Sequence, residues 1–395
     1  MATQSLSTNE SFFSQKYFPS LDGLRALSII PVVWHHATPY VFEGVLGRGA
    51  IGVDLFFAIS GFLITTLLVR ERASVGQIDL PAFYARRAFR IFPLYYLVLG
   101  LNVAFALWIQ PNWAPSQRFL ARSPYYAAYV ANWQNDAEFT GPALFVFAWS
   151  LCTEEQFYAF WAPLLRLVRR LRYAALAMSV CVVVDLALEA LGRSRACIPH
   201  PLFSVLTSFS TPIGVGALVA LVVHHPRWGK PIAAVSSHSF AVPIALVFVS
   251  SLVVWPWAPV VVLHLALGGL VLVCATRKRH ALMPVLEHPS LRYVGKVSYG
   301  IYLWHVAVLG ALKALVPSLQ SYPTALFAIG LPLSILVAGL SYRFFEEPFL
   351  RQGRKWRRIP QGLPMSHGDA GFASSLDGPV SGKTLNTVGP VGYSE

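Results

Sequence analysis

Charge is scarce in this sequence. Only 12% of its 395 residues are Asp, Glu, Lys or Arg, against roughly 25% in a typical soluble domain. With 55% hydrophobic residues and a mean hydropathy of +0.54, the chain has more apolar surface than one soluble core of this size can enclose. An ordinary globular enzyme is therefore excluded. Cysteine is scarce too. Cys152, Cys181, Cys197 and Cys274 are scattered, with no C-x-x-C pair and no metal-ligand spacing. That argues against a disulfide framework or a zinc site and leaves the thiols as small core residues in a protein whose reaction is expected to need no metal. Acidic residues are fewer than basic ones, 18 against 31, for a net charge of +13. Such a balance can mark a nucleic-acid binder, but here the basic residues fall in short clusters between apolar runs, as in the cytoplasmic loops of membrane proteins. No nucleic-acid partner is expected. The polar start, Met1 to Lys16, lacks a signal-peptide pattern, so the first apolar run is read as an uncleaved anchor.

What is present is a series of long apolar runs. They predict an all-α, polytopic membrane protein with about ten transmembrane helices. The spans are read at 21–42, 51–69, 91–109, 143–165, 173–191, 203–223, 239–254, 258–275, 297–316 and 324–345. Basic clusters follow every second span: Arg70 to Arg90, Arg166 to Arg172, Arg227 and Lys230, Arg277 to Arg279, and Arg351 to Arg358. All lie on one side if the N-terminus is cytoplasmic; Arg193 and Arg195 are the exception. The run 118–133 would break this alternation as a full span and is read as interfacial or re-entrant. Residues 1–18 are then a cytoplasmic N-terminal segment, 19–350 the membrane domain, and 351–395, rich in Gly, Ser and Pro, a disordered cytoplasmic tail.

The chemistry sits inside the apolar runs. The first carries Arg25 and His36, eleven residues apart. That spacing is about 16 Å along a helix and close to three full turns, so both share one face. Ionisable groups at membrane depth usually mark a pathway or a site. Span two opens G-V-D-L-F-F-A-I-S-G-F: Asp54 needs a partner if buried, while Ser60 and Gly61 suit close helix packing. Ahead of span three, Arg86, Arg87 and Arg90 precede Pro93. They serve either topology and anionic lipid or an anion clamp for donor phosphates. Span four contains W-S-L-C-T-E-E-Q-F-Y, where Glu154 and Glu155 point about 100° apart and at least one must be protonated or paired. Trp149, Ser150, Gln156 and Tyr158 surround them. Span nine reads S-Y-G-I-Y-L-W-H, with His305 near mid-membrane and Tyr299 and Tyr302 on roughly the same side. Span ten ends S-Y-R-F-F-E-E-P; Glu346 and Glu347 there read as a plain helix end.

Taken in order, these motifs resemble the acyltransferase family 3 of membrane O-acyltransferases over about residues 19 to 350. The family's Arg-x10-His signature falls on Arg25 and His36, with His35 at a usually apolar position. Its G-x-D-x-F-F block matches Gly52 to Phe62, its R-R-x-x-R-I-x-P block Arg86 to Pro93, and its W-S-L-x-x-E-x-Q-F-Y block Trp149 to Tyr158. Its S-Y-x-x-Y-L-x-H block matches Ser298 to His305 and its S-Y-x-x-x-E-x-P ending Ser341 to Pro348. Span six lacks an arginine expected before its Gly. The chain also stops without the extracytoplasmic esterase-like domain that some relatives append, so the membrane domain is expected to handle the acceptor.

The resemblance implies transfer of an acyl group, often acetyl, from cytoplasmic acyl-CoA to a hydroxyl of an extracytoplasmic carbohydrate or glycoconjugate. The enzyme would lie in a bacterial-type cytoplasmic membrane, with both termini inside and no tightly bound cofactor. His36, Arg25 and Glu154 are the catalytic candidates: His36 as general base or transient acyl carrier, Arg25 toward the donor, and Glu154 or Glu155 orienting His36. Arg86, Arg87 and Arg90 would hold phosphates. Tyr299 and His305 would hold the carbonyl oxygen or acceptor; Asp54, Ser60, Trp149 and Ser150 complete the expected substrate contacts. The competing reading is a transporter of an anionic or acylated solute, since buried Arg, His and Glu also mark proton relays. No inverted repeat is visible in the hydropathy.

Overall fold

A computed structural model of the chain describes residues 12, 15, 17–38, 49, 51–133, 144–192, 209–225, 227–228, 241–254, 260–277 and 280–356. All belong to one unit, Met1–Pro360. The described residues form helices and no strands. In order these are α1 (Pro19–Ala37), α2 (Ile51–Val75), α3 (Leu80–Ala104), α4 (Ala114–Ala127), α5 (Trp149–Leu167), α6 (Leu171–Gly192), α7 (Thr211–His224), α8 (Ala241–Val254), α9 (Val260–Thr276), α10 (Met283–Leu286), α11 (Pro289–Lys296), α12 (Ser298–Leu315), α13 (Pro323–Ser341) and α14 (Glu347–Arg354). A π-helical turn, Phe105–Ile109, prolongs α3, and another, Tyr342–Glu346, joins α13 to α14.

Among the described residues, four helical stretches are long and apolar enough to cross a membrane: Ile51–Val75, Leu80–Ile109, Leu171–Leu188 and Pro323–Arg354. A fifth arises if α11 and α12, bent by 73°, count as one span. The two helices bearing the most polar motifs, α1 and α5, are not among them, because Asp22, Arg25, Glu154 and Glu155 lower their hydropathy. The arginines expected ahead of span three lie instead within α3. Asp79 caps that helix by accepting from the Ala82 amide at 3.1 Å, and Pro81 occupies its first turn, where no amide donor is needed. The run 118–133 forms no full span. Its helix, α4, has 14 residues, about 21 Å, short of a hydrocarbon core of about 30 Å. It is tied to α3 by the Tyr95 and Tyr96 hydroxyls, which donate to the Tyr126 and Ala127 carbonyls at 2.8 and 2.9 Å.

α1 packs against α2, α11, α12 and α13. Glycines let the backbones meet. A Cβ on Gly52 would fall 2.1 Å from the Ser28 carbonyl oxygen, and one on Gly295 would fall 1.9 Å from that of Asp22. α2 and α7 touch in the same way: a Cβ on Gly61 would stand 1.9 Å from the Ile213 oxygen, and one on Gly216 would stand 2.0 Å from the Ala58 oxygen. Gly61→Val therefore pushes two helices apart. It is expected to destabilise the protein by about 1–3 kcal/mol, seen as a lower unfolding temperature of the detergent-solubilised protein.

Several arginines serve this frame. Arg72 donates to the Leu165 and Val168 carbonyls at 2.9 and 3.0 Å, closing the C-terminus of α5, whose last carbonyls have no partner within the helix. Arg70 grips the N-terminal segment by donating to the Gln15 and Phe12 carbonyls at 2.6 and 3.0 Å. At the foot of α1, Tyr17 hydrogen-bonds Asp22. Its pKa is pushed up to about 12 by burial and by the Asp22 charge, so it stays a neutral donor. The helix following the second π turn ends at Arg354, and Gly353 packs on Phe89, so the first residues after 350 join the fold. Residues 357–395, expected as a tail, lie outside the described residues.

Candidate active site

α1 and α12 bring two histidines together. His36 Nδ1 lies 3.3 Å from His305 Nε2, with ring centroids 4.8 Å apart. Backbone carbonyls fix their tautomers. His36 Nδ1 lies 2.9 Å from the Val32 carbonyl oxygen, and His305 Nδ1 lies 2.7 Å from that of Tyr302. A carbonyl only accepts, so both Nδ1 atoms carry hydrogen. His305 Nε2 is then a lone pair facing the His36 N–H. His36 Nε2 is left as a second lone pair with no partner among the described residues. His305 is fully buried and His36 half-buried, so the inner ring anchors and the outer ring is reachable.

Phe147 sets this pair. Its ring lies 5.2 Å from His305 and 6.5 Å from His36, and its carbonyl accepts from the Tyr302 hydroxyl at 2.6 Å. The Ser150 hydroxyl lies 2.5 Å from the same tyrosine oxygen. Tyr302 and Phe147 thus pack and hydrogen-bond around the pair, positions that the motif reading passed over in favour of Tyr299. Tyr299 donates to the Ile91 carbonyl at 2.6 Å, bracing α12 against α3. Trp149 is 42% exposed and meets Phe57 edge-on at 6.2 Å. Asp54 and Ser60 are half-buried on α2.

The glutamates do not orient His36. Glu154 hydrogen-bonds Tyr158, over whose ring the Arg87 guanidinium lies at 5.2 Å. Glu155 has a buried carboxylate oxygen with no hydrogen-bond partner and has Glu154 and Arg87 as charged neighbours. Both are at least four residues beyond Ser150 on α5, about 6 Å along the axis toward the arginines. His305, not a glutamate, is what meets His36 among the described residues.

The three arginines of α3 divide. Arg86 is consumed structurally: it pairs with Glu71 at 3.2 Å and donates to the Trp356 carbonyl at 3.1 Å. Arg87 has its ring contact with Tyr158 and lies near Glu155, with no hydrogen-bond partner among the described residues. Arg90 has no hydrogen-bond partner among the described residues. It lies deep, near Arg25, Arg87, Tyr158 and Tyr342, yet keeps accessible surface, as do Arg25, Arg87, Glu154, Glu155 and Tyr299. Arg25 is paired with Asp22 at 3.3 Å.

Glu346 also faces Arg90. Helical spacing along α13 buries Ser334 and Ala338, then leads to 341 and 345. The π turn Tyr342–Glu346 delays the pattern by one residue and buries Glu346 in place of Phe345. Ser341 donates to it at 3.2 Å, while Glu347 turns outward to Arg351 at 2.5 Å. No helical period announces this.

The site is thus a cluster of partly accessible cations and carboxylates on α1, α3 and α5 together with a tautomer-fixed histidine pair on α1 and α12. Comparison with known proteins agrees in class. The chain is 28% identical to the peptidoglycan O-acetyltransferase OatA of Listeria monocytogenes, covering 86% of this chain and 57% of that protein. It is 27% identical to the O-acetyltransferase OatA of Staphylococcus aureus, covering 90% of this chain and 61% of that protein. It thus spans about three-fifths of the length of these curated relatives. No solved structure matches it. Residues 18–343 match the family described as Acyltransferase domain, and with a match of that extent the chain belongs to acyltransferase family 3.

Proposed function

We propose that this protein is an integral-membrane O-acyltransferase that moves an acyl group, acetyl by the kinship to O-acetyltransferases, from acyl-CoA to a hydroxyl of an extracytoplasmic carbohydrate or glycoconjugate. The observation that carries this reading is the His36–His305 contact, which leaves one reachable imidazole nitrogen unprotonated. As the acceptor oxygen attacks the thioester carbonyl, His36 Nε2 takes the hydroxyl proton. The tetrahedral intermediate collapses, the C–S bond breaks, and the same proton passes to the departing thiolate. The Val32 carbonyl, accepting from His36 Nδ1, steadies the imidazolium that forms between, with the His305 lone pair 3.3 Å from the same nitrogen. Attack by Nε2 itself, giving an acyl-imidazole that the acceptor then opens, uses the same lone pair.

Arg90 and Arg87, with Arg25, supply the anion-binding end for the donor's phosphates. The donor enters on the arginine side, taken as cytoplasmic, and the acceptor meets His36 from the opposite side. This requires the helices on the two sides of the site to complete a bundle of about ten spans in a bacterial-type cytoplasmic membrane, with both termini inside.

The test is mass spectrometry of cell-envelope glycans, peptidoglycan first, from cells with the intact gene, a deletion, and His36→Ala at equal membrane abundance. The expected result is an acetyl mass increment lost in both mutants. Flux of an unmodified solute, lost on deletion with no change in any glycan mass, would instead establish the transporter.

A further inference from the structure

One tyrosine outside every motif used so far is held in place at a cost. Tyr129 follows α4 with φ of 56°, a left-handed backbone that a bulky non-glycine residue adopts only when its surroundings impose it. Here they do. The Gln156 amide donates to the Tyr129 carbonyl at 2.8 Å, and Gln156 and Asn132 exchange two amide hydrogen bonds of 2.9 and 3.0 Å. Asn132 also reaches Thr153 at 3.3 Å. The Tyr129 ring stacks on Tyr95 at 4.3 Å. All this delivers a hydroxyl that has no hydrogen-bond partner on a residue only 8% exposed. Its polar neighbours are Tyr299, Tyr95 and Glu155, and Glu155 itself has an unpartnered oxygen. An orphan donor and an orphan acceptor thus lie on two segments that Gln156, next to Glu155 on α5, ties together. Leaving each unmet is unfavourable, so a strained turn that maintains them points to a ligand.

We propose that Tyr129 and Glu155 form a binding station for a secondary amide of the acyl donor's pantetheine arm, an inference that rests on the acyl-CoA reading above. An amide offers one carbonyl acceptor and one N–H donor. The Tyr129 hydroxyl donates to the carbonyl, and the free Glu155 oxygen accepts from the N–H. The location fits an arm rather than the reacting carbon. From Tyr129, ring contacts run through Tyr95 to Phe145 at 5.2 Å, on to Phe147 at 5.2 Å, and to His36 at 6.5 Å. The Tyr129 ring is therefore several rings from the histidine pair. Selection at this station is for the pantetheine chain as such and is independent of the acyl group.

The test uses the purified full-length protein in detergent, with affinities for CoA and for adenosine 3′,5′-bisphosphate, which carries two of the three CoA phosphates but no amide arm. In Tyr129→Phe the CoA dissociation constant is expected to rise about tenfold, with that of the bisphosphate unchanged. The unfolding temperature of the ligand-free variant should equal or exceed that of the parent, because the lost hydroxyl has no partner to lose. Glu155→Gln, which keeps the shape, should weaken CoA in the same selective way. If Tyr129→Phe lowers the unfolding temperature and weakens both ligands alike, the tyrosine is structural and the proposal falls. Unchanged CoA affinity in the variant also ends it. Absence of CoA binding by the parent protein would overturn the acyl-CoA reading itself, a distinct outcome.

Discussion

Replacing His36 with alanine is expected to lower acyl transfer by about 10²- to 10⁴-fold, the usual contribution of a positioned general base, while the protein stays folded. The substitution removes the only reachable lone pair of the histidine pair. In the folded state it gives up one bond to the Val32 carbonyl and one contact with His305, neither of which holds α1 in place. That role belongs to the glycine contacts at Ser28 and Asp22. His305→Ala should also be severe but different in kind. It opens a cavity at a fully buried position and frees His36 to rotate. Both lower turnover; only the second lowers stability by the few kcal/mol expected of a large core truncation, seen as a lower unfolding temperature. Initial rates with labelled acetyl-CoA and parallel thermal unfolding separate the two. Retention of normal turnover by His36→Ala in folded, inserted protein would sink the mechanism.

The second large effect concerns the arginines. Arg90→Ala is expected to raise KM for acyl-CoA about 10- to 100-fold, the loss of a charge-assisted contact to phosphate. Arg86→Ala, four residues earlier on the same helix, should leave KM within about threefold. It should instead cost about 1 kcal/mol of stability, because its pair with Glu71 is partly exposed and such pairs contribute little. The contrast is sharp because both residues belong to one R-R-x-x-R-I-x-P motif. If Arg86→Ala raises KM as much as Arg90→Ala, the anion site includes all three arginines and the division of roles is wrong. Measuring KM for acetyl-CoA at two salt concentrations adds a check, since the Arg90 effect depends on desolvated charge and screens weakly.

Much of this site was legible in the linear sequence, for a physical reason. Placing Arg25, Glu154, Glu155 or His305 in an apolar helix is so unfavourable that their presence announces a role. Helical periodicity then aligns Arg25 with His36 without any structure. What was not legible depends on geometry that a period cannot carry. Arg86, Arg87 and Arg90 look alike until Glu71, which follows α2's apolar run, claims the first. Glu346 reads as a helix end because the π turn that buries it breaks the 3.6-residue pattern. Tyr129 is invisible because only a left-handed backbone, imposed by Gln156 and Asn132, aims it inward.

The sequence by itself determined the class of the protein, the apolar helices, the polar residues they were made to carry, and the family kinship that follows from their order. Composition and 3.6-residue periodicity are local properties, and they suffice for that. The tertiary structure alone decided which of those polar residues meet. It paired His36 with His305 across α1 and α12, assigned Glu154 to Tyr158, and left Arg90 and one Glu155 oxygen without hydrogen-bond partners among the described residues. Those choices depend on close approach between helices far apart in the chain, set by glycine contacts and irregular turns, and no local pattern encodes them.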